Sequence, residues 1–198
     1  MGDRERIDET RSFFAPRAAT WDERFPDDDP AFAGAVAALE LRPGAVAADV
    51  GCGTGRALPH LRAAVGPAGT VLGLDLTPEM CSQAHPRGPV VVGDALALPL
   101  PDGSCHGVLA AGLLTHLPDP RDGLVELARV TRPGGRLALF HPIGRAALAA
   151  RRGHALSSDD VRDPAHLPGA LAATGWSLGS LDDGDDRYLA VAVRSARG

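Results

Sequence analysis

The stretch Asp49-Val50-Gly51-Cys52-Gly53-Thr54-Gly55 constrains this chain more than any other segment, because it sets a glycine-rich turn directly behind the apolar run 45–48. Consecutive apolar residues read as a strand buried on both faces. The residues after Arg56 read as a helix, so the turn is a strand-to-helix corner. Gly51, Gly53 and Gly55 let the backbone turn tightly and leave main chain bare where a ligand would approach. A dinucleotide site expects a third glycine where Arg56 stands, with a pyrophosphate facing the helix N-terminus. Asp49 would repel a pyrophosphate and suits a ligand that carries positive charge. The same carboxylate also suits a local role, accepting amide hydrogen bonds from the turn that follows it.

Beyond the corner the chain alternates: helix to about Val65, strand 71–75, helix opened by Thr77-Pro78-Glu79, strand 90–95, strand 107–111, helix 121–131 and a strand from about Arg136. That alternation predicts a doubly wound parallel sheet of the α/β class. Pro78 sits where a first helical residue should, with Thr77 as its cap. A helix over 164–174 follows, and then two strand-like runs, 176–181 and 187–193, flank the turn Asp182-Asp183-Gly184-Asp185-Asp186. Ahead of the first strand, Phe13, Phe14, Ala18 and Trp21 recur at near-helical intervals until Pro26, Asp27, Asp28, Asp29 and Pro30 break the pattern. A short helix over 31–41 comes next.

Composition narrows the chemistry. A chain of 198 residues with 44% hydrophobic content supports one domain with a sizeable core. The sequence holds no lysine, which excludes Schiff-base catalysis. Its formal net charge of -5, with scattered arginines, provides no basic stripe for a nucleic-acid backbone. Cys52, Cys81 and Cys105 have neither paired nor metal-like spacing, so a disulfide framework or a metal site is not expected. No run is long enough to span a membrane, and the charged start Met1-Gly2-Asp3-Arg4 has no apolar signal core behind it. The expectation is a cytoplasmic protein.

The acidic residue, variable residue and G-x-G-x-G of 49–55 resemble the first motif of the class I S-adenosylmethionine-dependent methyltransferases. The resemblance covers most of the chain. Val71-Leu72-Gly73-Leu74-Asp75 looks like the second strand, Val90-Val91-Val92-Gly93-Asp94-Ala95 like the third, and Gly107 to Ala111 like the fourth, followed by Gly112-Leu113-Leu114-Thr115-His116-Leu117-Pro118. Arg132-Pro133-Gly134-Gly135-Arg136-Leu137 is similar to the turn into the fifth. Each piece is weak alone, and the order and spacing together make a specific match. The absence of asparagine rules out the Asn-Pro-Pro-Tyr motif of many nucleic-acid and protein N-methyltransferases.

The resemblance implies a Rossmann-like, seven-stranded, mostly parallel sheet with a C-terminal antiparallel hairpin and helices on both faces. It implies one domain over 1–198: a helical lid over 1–44, a cofactor-binding core over 45–142, an acceptor-side segment over 143–168, and a helix end and hairpin over 169–198. S-adenosyl-L-methionine is the implied cofactor, with Asp75 accepting from the ribose hydroxyls and Asp94 from the adenine amino group. Trp21, Asp49, Gly51, Cys52, Gly53, Leu76, Ala95, Ala111 and Gly112 complete the implied cofactor set, and Cys81 is expected near adenine. The implied partner is a small-molecule acceptor, without nucleic acid or membrane; a homodimer is left open. Methyl transfer from a sulfonium requires alignment and exclusion of water, and a base only when the acceptor is a hydroxyl. His116 and His141, in loops that face the acceptor in the family, are the candidates. Arg145, Arg151, Arg152, His154 and His166 form a cluster suited to an acceptor carboxylate or phosphate, or to solvent. A nicotinamide-dependent oxidoreductase and a non-catalytic cofactor-binding regulator are the rival readings.

Overall fold

The computed structural model describes residues 3–24, 28–151 and 153–196. Met1, Gly2, the expected helix breakers Pro26 and Asp27, and Arg152 lie outside the described residues. Seven strands, β1 (Val46–Val50), β2 (Thr70–Asp75), β3 (Val90–Val92), β4 (Cys105–Ala111), β5 (Thr131–His141), β6 (Trp176–Asp183) and β7 (Tyr188–Arg194), form one sheet in the order β3-β2-β1-β4-β5-β7-β6. The pairs among β1 to β5 are parallel, and β7 runs antiparallel to both β5 and β6. This is the expected α/β class, with the hairpin closing one edge.

Alternate strand residues point to opposite faces, so each inner strand must be apolar throughout to serve two cores. Ala48, Val108, Leu137 and Leu139 join Leu124, Leu127, Leu167, Leu171 and Trp176 on one face. Ala47, Leu109, Ala138 and Phe140 join Phe32, Val36, Leu58, Leu61 and Val65 on the other. The helices supplying these residues are α2 (Asp29–Ala37) and α3 (Leu58–Val65) on the second face, and α5 (Pro120–Val130) and α7 (Leu167–Ala173) on the first. Leu124, Leu127 and Ala128 fall at helical spacing on the buried side of α5, and the Trp176 indole N–H donates to the Leu124 carbonyl at 3.0 Å. Asp119, which the sequence reading passed over, caps α5 by accepting from the Arg121 amide at 2.8 Å.

Three local expectations need correction. The strand expected over 90–95 stops at Val92, an exposed edge position. The chain then folds back, and Asp94 bridges to Ala97. Thr77 does hold the cap position of α4 (Pro78–Ala84), but its side chain makes no cap hydrogen bond. The helix expected from Pro164 begins at Leu167 as α7.

Candidate active site

In this sheet β1 and β4 are neighbours although β2 and β3 intervene in sequence, so the chain reverses its direction of winding there. Such a switch leaves a crevice beyond the carboxyl ends of the strands. A cavity of about 690 Å³ occupies that place. Trp21, Asp49, Gly51, Cys52, Gly53, Asp75, Leu76, Asp94, Ala95, Ala111, Gly112, His116 and His141 all line it. The expected cofactor set and both candidate histidines are therefore brought to one space.

The glycine corner behaves as its composition demands. Gly51, Gly53 and Gly55 have φ of 72°, 53° and 79°, the left-handed region that side chains disfavour. A Cβ on Gly55 would lie 2.8 Å from the Ala84 Cβ, so that glycine serves packing on α4. A Cβ on Gly53 would meet nothing within 4 Å; there the bare main chain borders open cavity.

Two carboxylates flank this cradle. Asp75 accepts from the Gly53 amide through Oδ2 and from the Thr77 amide through Oδ1, both at 2.8 Å, which fixes its orientation at the end of β2. Burial pushes its pKa above the ordinary value, and the two amide donors oppose that rise. Each oxygen retains a lone pair for a hydroxyl donor. Asp49 is 1% exposed, and its Oδ1 is buried with no hydrogen-bond partner among the described residues. Burial, reinforced by the Asp75 charge, pushes its pKa up to about 7. A buried carboxylate without a donor is costly. A cationic group placed in the cavity would relieve both the desolvation and the repulsion. The amino-acid end of S-adenosylmethionine carries an ammonium, so the cradle, the orphaned Asp49 and the hydroxyl-ready Asp75 fit that cofactor.

Asp94 accepts from the Leu96 amide at 3.0 Å through Oδ1, and its Oδ2 is held by Arg6. Arg6 belongs to α1 (Asp3–Phe14), which crosses the cavity mouth. Arg6, Thr10, Phe13 and Phe14 line the cavity at spacings of one helix face, and Arg11 donates to the Leu76 carbonyl at 2.9 Å. Two short 3-10 turns, Ala15–Thr20 and Asp22–Arg24, continue the lid. Asp22 accepts from the Thr54 hydroxyl and from Arg87, both at 2.6 Å. Burial raises the Asp22 pKa, but these two donors outweigh it and hold the carboxyl below its usual range. Arg56 pairs with Asp28 and lies 5.3 Å from the Phe32 ring centre. The glycine corner thus tethers the lid through Thr54 and Arg56.

On the far side of the cavity, Phe14 packs edge-on against His116 with ring centres 4.9 Å apart and at a tilt against Trp21 at 5.6 Å. His141 stands at the end of β5, with Nδ1 2.8 Å from the Ile143 carbonyl oxygen and 3.1 Å from the Ile143 nitrogen. The Ile143 N–H donates to Nδ1, and the two contacts fix the ring at the β5 end. Pro142, Ile143, Leu148 and Arg151 line the wall nearby.

Among the described residues, the arginine and histidine cluster does not assemble at the cavity. Arg145 is 5% exposed and bound by Asp160, Asp163 and Asp183, at N···O distances of 3.4, 3.0 and 2.8 Å. It pins the 160–163 segment to the β6 end and cannot reach an acceptor. His154 and His166 do not line the cavity; Arg151 does. Cys81 is also displaced from the adenine position expected for it: its thiol donates to the Asp75 and Val91 carbonyls, and Met80 lines the cavity instead. The sequence reading missed Arg6, Thr10 and Met80. A helical spacing that joins Arg6 and Thr10 to Phe13 and Phe14 was the available signal.

Residues 48–139 match the family described as the methyltransferase domain. The chain is 36% identical over 170 residues to the nocamycin O-methyltransferase of Saccharothrix syringae, covering 80% of this chain and 60% of that one. It is 44% identical over 111 residues to an uncharacterised protein of a Streptomyces fradiae transposon, covering 53% of this chain and 32% of that one. The chain thus spans less than two thirds of the length of these curated relatives. Among solved structures, it superposes on an S-adenosylmethionine-dependent methyltransferase from Aquifex aeolicus with a TM-score of 0.65, at 22% identity, covering 98% of this chain and 100% of that one.

Proposed function

We propose that this chain carries a class I S-adenosylmethionine-dependent methyltransferase domain and methylates a hydroxyl of a small, largely apolar acceptor. The observation that carries the reading is the buried Asp49 Oδ1, without a hydrogen-bond partner among the described residues, in the same cavity as the Gly53 main chain, a histidine and an aromatic wall. The similarity to an O-methyltransferase supports oxygen as the acceptor atom.

Bound in the cradle, S-adenosylmethionine supplies a methyl group on a positively charged sulfur that leaves readily. The chain's own work is placement. Asp49 would hold the cationic end and Asp75 the ribose, and Ala111 and Gly112, at and just past the end of β4, line the same cavity. Phe14, Trp21 and the lid behind them exclude water, which would otherwise compete with the acceptor. His141, on the cavity wall with its ring held at Ile143, takes the acceptor's proton as the oxygen attacks. His116, packed against Phe14, shapes the acceptor wall and holds the lid closed.

A panel of phenols incubated with methyl-labelled S-adenosylmethionine tests this directly. For a phenol that is turned over, His141→Ala lowers the rate by about a hundredfold or more near pH 7. The deficit closes as the pH approaches the acceptor's own pKa, where ionisation needs no base. A His141→Ala rate equal to wild type at pH 7 would remove the base from the mechanism.

A further inference from the structure

The feature left unused is Arg6. It is 7% exposed, it lines the cavity, and its Nη2 sits on Asp94 Oδ2, yet its Nε is buried with no hydrogen-bond partner among the described residues. A guanidinium is a rigid fork of five donors, so anchoring Nη2 on Asp94 fixes where the Nε–H stands. A buried charged donor left without an acceptor is unfavourable, and β3 and the loop behind it supply none.

On the basis of the methyl-donor reading above, we infer that Arg6 is a base-recognition residue contributed by the lid, donating through Nε to a ring nitrogen of the cofactor's adenine. Adenine presents an amino donor flanked by ring nitrogens that accept. Asp94, the amino group's partner in that reading, and the Arg6 Nε–H beside it form the complementary acceptor and donor. A neutral amino group does not displace a buried charge-assisted pair, so the adenine shares Asp94 with Arg6. The base then completes the hydrogen bonding of α1, and lid closure and cofactor binding reinforce each other. Arg11, on the Leu76 carbonyl, holds the same helix one turn further along.

The test is calorimetric titration of the full chain with S-adenosylhomocysteine and with its 1-deaza and 7-deaza analogues, in which a ring nitrogen becomes CH. Arg6→Ala should weaken S-adenosylhomocysteine at least tenfold. Arg6→Lys keeps a cation on Asp94 without the second donor and should lose a similar factor. One deaza analogue should bind wild type correspondingly weakly and lose nothing further in Arg6→Ala. Thermal melts establish that each variant is folded. Unchanged or tighter binding in Arg6→Ala would make Arg6 only a latch. Full recovery in Arg6→Lys, or equal losses for all three ligands, would make it only a counter-charge. Either result overturns the inference while leaving the methyl-donor reading intact. Failure of folded wild type to bind S-adenosylhomocysteine at all would overturn both.

Discussion

Asp49 shows how a single side chain couples folding to ligand binding. Its pKa stands at about 7 because burial and the nearby Asp75 disfavour its charge, whereas the ordinary value is 3.8. A raised carboxyl pKa favours the folded state when protonated, so the protein loses stability as pH rises from about 4 and levels off above about 7. At about 1.4 kcal/mol per pH unit, the loss approaches on the order of 4 kcal/mol as an upper bound. Asp49→Asn should therefore unfold at higher urea than wild type at pH 8, with the gap shrinking toward pH 4. A cationic ligand reverses the sign, since it favours the ionised form. S-adenosylhomocysteine should bind wild type more tightly as pH rises through about 7, releasing a proton, and should bind Asp49→Asn weakly with a flat pH profile. Tighter wild-type binding at pH 6 than at pH 8 would contradict this account of Asp49.

At the scale of elements, the lid is held by polar tethers on cofactor loops: Arg6 on Asp94, Arg11 on the Leu76 carbonyl, Asp22 on Thr54 and Arg87, and Asp28 on Arg56. Such a cover opens more readily than one sealed by a large apolar face. Asp22→Ala, which removes two charge-assisted hydrogen bonds at a partly exposed site, should raise the dissociation rate of S-adenosylhomocysteine about fivefold in stopped flow. An unchanged rate would mean that the lid does not gate release. The aromatic half of this lid was legible in the sequence because Phe14, Ala18 and Trp21 keep helical spacing. The stretch ahead of Phe13 carried no such spacing and entered the lid only through the 1–44 span that the resemblance implied. Asp3 to Arg11 is so charged that it reads as a solvated helix, and only the tertiary position of Asp94 draws Arg6 inward. Arg145 went a third way: three aspartates distant in sequence converge on an arginine that the sequence left either to the acceptor or to solvent.

At the scale of the molecule, the sheet was legible because a parallel strand covered on both faces must be apolar and because each crossover helix needs its own punctuation. Gly51 to Gly55 and Thr77-Pro78 supply that punctuation. Strand ends, and hence Asp49 and Asp75, follow from the same pattern, whereas Asp94 falls two residues past the end of β3. The acceptor pocket has no comparable rule: its wall combines the lid, the loop after β4 and the β5 end, whose mutual positions depend on packing. The central claim, that the switch-point cavity holds a methyl donor and not a dinucleotide, is tested most directly by calorimetric titration of the purified chain with S-adenosylhomocysteine and with NAD in parallel. The account predicts saturable one-to-one binding of S-adenosylhomocysteine and no heat from NAD, whereas binding of NAD with no binding of S-adenosylhomocysteine would contradict it.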